Sequence, residues 1–326
     1  MNPSSVTNGR HRLVVTGASG TLGRNVIEQV LGWDQVSLLA LVRSLSKPTK
    51  IFPGVIYREV DFFDPQQVNT ALQEFGPTCV IHCAASGMQS PRPAWFDLVR
   101  FNVEASLSLC ESVSRIPGCQ FIQISTGLAY KDQGRLLREE DALDTQHPYG
   151  ASKAAADILI RSAAAEFVVP LTIFRPFSFS GPGDISSRLF PSMLRAAAEM
   201  RPFHMTSGQQ VRDHCAVGDV ANGVSQAIRQ GTEASKGARI YNLGSGRTIP
   251  LRPLVESVIE ELGLALDLSF GERQLTEFEP TYLAADITRA QAELGWRPRL
   301  NFAYAVWQLA QESFPSLKLR QPKRWL

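Results

Sequence analysis

Apolar residues in the first half of the chain fall in short unbroken runs, separated by longer stretches where apolar positions recur at helical spacing. Arg12-Leu13-Val14-Val15, ending in Thr16-Gly17, reads as a buried strand. Residues 21–31 read as a helix, 36–42 and 55–60 as strands, 66–75 as a helix and 79–82 as a strand. Residues 95–114 are helical by spacing, with Val99, Val103, Leu107 and Cys110 along one face. A strand over 120–125, a helix over 149–167 and a strand over 171–174 follow. Strands that are apolar almost throughout, alternating with helices, predict an α/β fold with a parallel sheet covered on both faces.

After Pro176 the pattern loosens. Residues 178–187 are rich in Gly, Ser and Pro and read as a loop beside a substrate. Helices are predicted over 189–200, 219–230, 254–262 and 287–294, with strands over 239–243 and 266–270. The 239–243 strand is expected to rejoin the main sheet. This divides the chain into a larger domain, 11–176 plus 218–245, and a smaller discontinuous α/β domain, 177–217 plus 246–320.

Composition narrows the class. The chain has 326 residues, 44% apolar and 20% charged, with a formal charge of +2. That is an ordinary soluble globular composition. No basic block points to nucleic acid or a membrane surface, and no run of about 18 apolar residues could span a bilayer. Residues 1–10 are polar, lack a signal-peptide core and read as a flexible tail. Cys79, Cys83, Cys110, Cys119 and Cys215 show no C-x-x-C spacing, so reduced thiols in a cytoplasmic protein are expected. His204 and His214 have no metal-ligand spacing, and no metal is expected.

Two stretches carry candidate chemistry. Thr16-Gly17-Ala18-Ser19-Gly20-Thr21-Leu22-Gly23 lies between the first strand and the first helix. Glycines there let the backbone turn tightly and approach a diphosphate, which the helix N-terminus then faces. The predicted ligand is a dinucleotide. After the second strand stand Val42-Arg43-Ser44, with no acid to hold a ribose 2′-hydroxyl. Arg43 can take a 2′-phosphate, which favours NADP over NAD. The other stretch is Thr145 to Asp157. Pro148 suits a first helical turn, and Tyr149 and Lys153 then share one helical face. An ammonium one turn away favours the phenolate and is expected to bring the tyrosine pKa toward neutrality. The pair is a candidate proton donor or acceptor for a reacting oxygen.

From Leu13 to Leu300 the chain resembles the extended short-chain dehydrogenase/reductase family, in its nucleotide-sugar epimerase/dehydratase/reductase branch. The matching residues are Gly17, Gly20 and Gly23; Asp61 in Val60-Asp61-Phe62-Phe63-Asp64; and His82-Cys83-Ala84-Ala85. They continue through Asn102-Val103, Ser125-Thr126, Tyr149 and Lys153, Arg175-Pro176 and Gly181-Pro182-Gly183. Arg212-Asp213-His214, Asp219-Val220-Ala221, Tyr241-Asn242-Leu243-Gly244, Ala285-Asp286 and Leu294-Gly295-Trp296 complete the series. The resemblance implies a Rossmann-type doubly wound sheet and a smaller substrate domain. It makes Thr126 the residue that bonds the substrate oxygen, Tyr149 the proton donor and Lys153 the residue that holds the nicotinamide ribose. It adds Asp61 and Phe62, Ala84 and Ala85, Asn102 and Pro176 to the cofactor site with the glycine loop. It places Ser86, Phe177 and Arg212 beside substrate, with Arg212 on a phosphate. It also implies a homodimer paired through helices 95–114 and 149–167.

Each implied role has a plainer alternative. Thr126 could cap a loop, Asp61 could cap a turn, Asn102 could be a structural amide, and Arg212 could pair with Asp213 or Asp219. Relatives often carry a second diphosphate arginine near position 276, where this chain has Thr276, with Arg273 slightly early.

Three reactions compete. A 4,6-dehydratase commonly has Asp-Glu directly after its threonine, and this chain has Gly127-Leu128. A 4-epimerase keeps NAD tightly bound and has no need of Arg43. NADPH-dependent reduction of a keto sugar, a nucleotide-linked 4-keto-6-deoxyhexose, is the favoured expectation. A non-catalytic dinucleotide sensor would have lost Tyr149 or Lys153, and both are present. Reduction of a non-sugar carbonyl is a further alternative that the 212–221 stretch disfavours.

Overall fold

The computed structural model describes residues 11–45, 50–87, 93–233, 237–275 and 278–326. The expected tail over 1–10 and Thr276 lie outside the described residues. Along the first half run β1 His11–Thr16, α1 Thr21–Leu31, β2 Val36–Val42, β3 Val55–Glu59, α2 Pro65–Phe75 and β4 Cys79–His82. Then come α3 Trp95–Leu98, α4 Ala105–Ser114, β5 Gln120–Ile124, α5 Pro148–Glu166 and β6 Leu171–Pro176. The second half has β7 Ser178–Ser180, α6 Leu189–Ala198, β8 Phe203–Met205, β9 Val211–Arg212, β10 His214–Ala216, α7 Val217–Gln230 and β11 Arg239–Leu243. It closes with α8 Leu251–Leu262, β12 Leu268–Phe270, β13 Tyr282–Leu283, α9 Thr288–Leu294 and α10 Phe302–Ser313.

Seven parallel strands form the main sheet in the order β3-β2-β1-β4-β5-β6-β11. Alternate residues of β1 face opposite sides, as a two-residue period requires. Leu13 and Val15 pack with Val26, Ile27, Val220 and Val224 of α1 and α7. Val14 joins Leu72, Leu109 and Ile160 of α2, α4 and α5 on the other face. The sheet is therefore doubly wound, as expected. Local signals set the helix ends. Asp64 accepts from the Gln66 and Gln67 amides at the start of α2, Pro65 occupies its first turn, and Gly76 ends it in the left-handed conformation.

A separate core forms in the second half from Phe190, Met193 and Leu194 of α6, Val255 and Leu262 of α8, and Val306 and Leu309 of α10. The sequence reading did not include α10 or the two- and three-residue strands β7 to β10 and β13. One helix also differs from expectation. Between α3 and α4 the chain makes a π-helical segment, Val99–Glu104. Its wider turn shifts the later register, so Val99 is exposed while Leu98, Val103, Leu109 and Cys110 are buried.

The strand order reverses direction between β1 and β4. In open α/β sheets a ligand crevice forms at the carboxyl ends of strands beside such a point.

Candidate active site

A cleft of about 740 Å³ opens there. Its cofactor-side wall is the glycine loop from Gly17 to Gly23, with Arg43 and Phe62 beyond β2 and β3 and Ala84 and Ala85 beyond β4. Gly17 has φ +67°, and a Cβ there would lie 2.6 Å from the Ala84 nitrogen. Only glycine lets the loop lie flat on the chain leaving β4. Gly20 caps α1 with no side-chain hydrogen bond, and the first turn of α1 has no acid. Its amides are thus left to face an anion.

Thr126 and Tyr149 line the same cleft. Thr126 follows β5 and begins a short 3₁₀ turn, Gly127–Ala129, where its Oγ1 accepts from the Leu128 amide at 3.2 Å. Tyr149 sits in the first turn of α5, after Pro148, and the His147 Nδ1 accepts weakly from the Gly150 amide at 3.4 Å. Lys153 lies one turn further along α5, fully buried, and its Nζ has no hydrogen-bond partner among the described residues. It is not in the cleft lining; its charge acts on His82 and Cys83, which are. An uncapped helix N-terminus, a glycine cradle that a methyl would fill and an unpartnered buried ammonium together fit a dinucleotide laid along the sheet edge.

The electrostatics correct one expectation. Burial pushes the Tyr149 phenol up to about 12, opposed by Arg188 and reinforced by Asp157. The lysine does not bring the phenol toward neutrality in the protein alone. Burial acts on Lys153 in the opposite sense and lowers it to about 8, with Asp157 and Cys83 holding it up. Desolvation outweighs the neighbouring charge in both groups.

Four expected residues stand away from the lining. Asp61 caps the turn before α2: its Oδ1 accepts from the Phe63 amide at 2.9 Å, and Phe62 rather than Asp61 faces the cleft. Asn102 is fully buried; its Oδ1 accepts from the Ser86 amide at 2.8 Å, and its Nδ2 donates to the Ser86 carbonyl at 2.9 Å and to Ser152 Oγ at 2.8 Å. Both backbone groups of Ser86 are thus engaged, and Ser86 does not line the cleft either. Lys153 is the fourth. Gly17, Ser19, Gly20, Thr21, Leu22, Gly23, Arg43, Phe62, Ala84, Ala85, Thr126, Tyr149, Pro176, Phe177 and Arg212 all line it.

Arg212 does not pair with the acids of its own motif. Asp213 accepts from the Ser245, Gly246 and Ala285 amides, and Asp219 accepts from the Arg299 and Leu300 amides. Those two carboxylates tie separate segments together, leaving the Arg212 guanidinium toward the cleft, where burial lowers its pKa. Arg273 is not in the lining. Arg188 is, held at 3.0 Å by Asp184 and lying over the Phe179 ring. The sequence reading missed Arg188, His147, His82 and Glu279 as lining residues. His147 could have been found from its place two residues before Tyr149; Arg188 and Glu279 carry no local signal. His204 is exposed, and His214 packs between the Phe190 and Phe302 rings. No cluster of metal-ligating side chains occurs among the described residues.

Residues 13–244 match the model of the NAD dependent epimerase/dehydratase family, well over half of the chain. The chain belongs to that family. It is an NAD(P)-dependent enzyme of the extended short-chain dehydrogenase/reductase type, as the motifs implied. It is 26% identical over 319 residues to a probable dTDP-glucose 4,6-dehydratase of Sinorhizobium fredii, covering 89% of each chain. It is 27% identical over 311 residues to a UDP-glucose 4-epimerase of Corynebacterium glutamicum, covering 88% of this chain and 91% of that one. In fold it is similar to the UDP-glucose 4-epimerase of Thermotoga maritima, with a TM-score of 0.84, 20% identity and coverage of 94% and 100%. The NAD complex of a dTDP-glucose 4,6-dehydratase from Bacillus anthracis superposes with a TM-score of 0.81 at 20% identity, covering 93% and 96%.

Proposed function

We propose that this family member reduces a keto sugar with NADPH, and that the sugar is nucleotide-linked, a 4-keto-6-deoxyhexose. The observation that carries the reading is the shared cleft of Thr126, Tyr149 and the glycine loop, with no acid after Thr126. A carbonyl oxygen held by the Thr126 hydroxyl receives the Tyr149 proton as the carbon is reduced. The bound nicotinamide supplies the hydride. Lys153, with its unpartnered buried ammonium, would hold the nicotinamide ribose and supply the positive charge that stabilises the phenolate left after transfer.

Elimination of water fits poorly. A side chain at Gly127 would meet the Phe177 ring at 2.9 Å, and Leu128 is apolar. Glu279 is the one carboxylate among the described residues of the lining, and it stands with Arg212 on the substrate side. Arg188 and Arg212 supply two guanidiniums for a diphosphate, Arg188 standing in for the arginine that Thr276 lacks. Arg43 lines the cofactor end with its guanidinium over the Phe101 ring and is suited to a 2′-phosphate. A 4-epimerase with tightly bound NAD is the second reading, favoured by the likeness to a UDP-glucose 4-epimerase over 88% of this chain and 91% of that one. NADPH oxidation on adding a nucleotide-linked 4-keto-6-deoxyhexose tests the choice. Interconversion of epimers without net cofactor oxidation decides for the second reading.

The protein works as a homodimer in this reading. Trp95, Phe96, Val99, Ile158 and Leu159 of α3, the π segment and α5 are exposed, Phe96 at 91%. A cluster of large apolar side chains on two packed helices suits a second copy. No described helix is long and apolar enough to cross a membrane.

A further inference from the structure

Arg188 reaches the cleft from the residue that caps the start of α6, and its guanidinium is fixed in two ways. The guanidinium carbon lies 5.0 Å from the centre of the Phe179 ring, a stacking that sets the plane of the group. Asp184 sets its rotation within that plane: Oδ1 accepts from Arg188 Nη1 at 3.0 Å. Holding Nη1 leaves the Nε–Nη2 edge, the parallel pair of donors that matches two oxygens of a phosphate. The carboxylate is itself held. Its side chain is 1% exposed; Oδ1 also accepts from the Ile185 amide at 2.8 Å, and Oδ2 accepts from Ser180 Oγ at 2.6 Å. Ser180 ends β7, which pairs with β10. Just before Asp184 the chain is tied to α1, where Thr21 Oγ1 donates to the Gly183 carbonyl at 3.0 Å and Asn25 Nδ2 to the Pro182 carbonyl at 2.9 Å. An ion pair whose arginine is still 26% exposed adds little stability, which leaves orientation as its main effect.

We propose that Asp184 is a positioning residue that aims the Arg188 guanidinium at an anionic group of the substrate, the diphosphate of a nucleotide-linked sugar. An arginine side chain has several rotatable bonds, and ordering them on binding costs affinity. Asp184 and Phe179 order them beforehand. The sign of the effect is distinctive. By Coulomb's law alone a carboxylate beside the receptor repels the ligand, so neutralising it would tighten binding. As a positioning group, the same carboxylate holds the donor edge in place, so neutralising it weakens binding. The three bonds on Asp184 and the ring under Arg188 make the second effect the larger one.

The inference rests on the nucleotide-sugar reading for its ligand, not on the reaction performed. The test is calorimetric titration of the NADPH-loaded protein with dTDP, UDP, GDP and CDP, and then of the variants with whichever binds most tightly. Arg188→Ala is expected to weaken that diphosphate about tenfold to a hundredfold. Asp184→Asn is expected to weaken it about threefold to thirtyfold, with NADPH affinity unchanged. The double variant Asp184→Asn/Arg188→Ala is expected to bind no more weakly than Arg188→Ala alone, a result that a merely structural role for Asp184 does not produce. If Asp184→Asn does not fold, Asp184→Glu keeps the charge and displaces it by one methylene, and the same loss and the same lack of additivity are expected. Wild-type or tighter binding in the folded Asp184 variant, wild-type binding in Arg188→Ala, or losses that add overturn the inference. The expected pattern in a protein that oxidises no NADPH with a keto sugar leaves it standing and overturns the proposed reaction instead. A wild type that binds none of the four diphosphates overturns both.

Discussion

Gly150 lies against the backbone of Leu128: a Cβ on Gly150 would sit 2.8 Å from the Leu128 carbonyl carbon and overlap its oxygen. That contact presses the first turn of α5 onto the turn that follows Thr126. It is the reason the phenol and the hydroxyl share one cleft. An exposed helical Gly→Ala change normally stabilises by about 1 kcal/mol. Here the overlap with backbone reverses the sign. Gly150→Ala is expected to cost about 1 to 3 kcal/mol in urea unfolding and to lower turnover. Equal or greater stability would show that the two turns are not in contact.

Tyr149→Phe keeps the ring and removes the proton. Turnover is expected to fall by about 10² to 10⁴, the usual contribution of a positioned acid. Dinucleotide affinity, measured by fluorescence titration, should stay within about twofold, because a change of under 0.5 kcal/mol is typical where no bond is lost. A non-catalytic sensor would show no loss of its function in this variant.

Arg43 distinguishes the cofactors. A hydrogen bond to a charged group contributes about 1.5 to 3 kcal/mol. Arg43→Ala is therefore expected to weaken NADPH by about tenfold to a hundredfold and leave NADH affinity unchanged. Equal loss for both, in isothermal titration calorimetry, contradicts an interaction with the 2′-phosphate.

His82 sets part of the acid limit. It is buried, its Nδ1 pairs with Thr16 Oγ1 at 2.7 Å, and burial with help from Lys153 lowers it to about 3. Below pH 6.5 the unfolded imidazole binds a proton that the folded one refuses, so stability falls as pH drops toward 3. The slope from this residue is about 1.4 kcal/mol per pH unit. His82→Gln should flatten the fall in unfolding free energy between pH 6 and 4 by roughly that slope. An unchanged slope would mean that the imidazole reaches water in the folded state.

The exposed face of α3 and α5 predicts assembly. Phe96→Glu should convert a dimer to monomers in light scattering, since a charge at the centre of an apolar contact is desolvated without a partner. A monomeric wild-type mass at micromolar concentration contradicts the dimer.

The sequence carried the sheet well because its strands are apolar throughout and its glycine loop sits where only that topology needs it. Leu13, Val15, Ile81 and Ile122 report burial without reference to anything distant. Val99 misled because a π-helical segment alters the helical period, which spacing alone does not reveal. Helix α10 has Tyr304, Val306, Trp307 and Leu309 in close succession, so its sequence hides the face that the fold buries, Ala303, Ala305, Val306, Leu309 and Ala310. Asp61 and Asn102 carry the same residue types whether they touch a ligand or hold the chain. Only their partners, Phe63 for one and Ser86 with Ser152 for the other, separate those readings. Arg188 came to the cleft through the Asp184 pair and the Phe179 ring, contacts of tertiary structure rather than of motif.

The most direct test follows NADPH absorbance after a nucleotide-linked 4-keto-6-deoxyhexose is added to wild type and to Thr126→Ala and Tyr149→Phe, each shown beforehand to bind NADPH. The account predicts stoichiometric NADPH oxidation by wild type and a loss of about 10²-fold or more in both variants. Oxidation by Tyr149→Phe at the wild-type rate, with cofactor bound equally well, would contradict it.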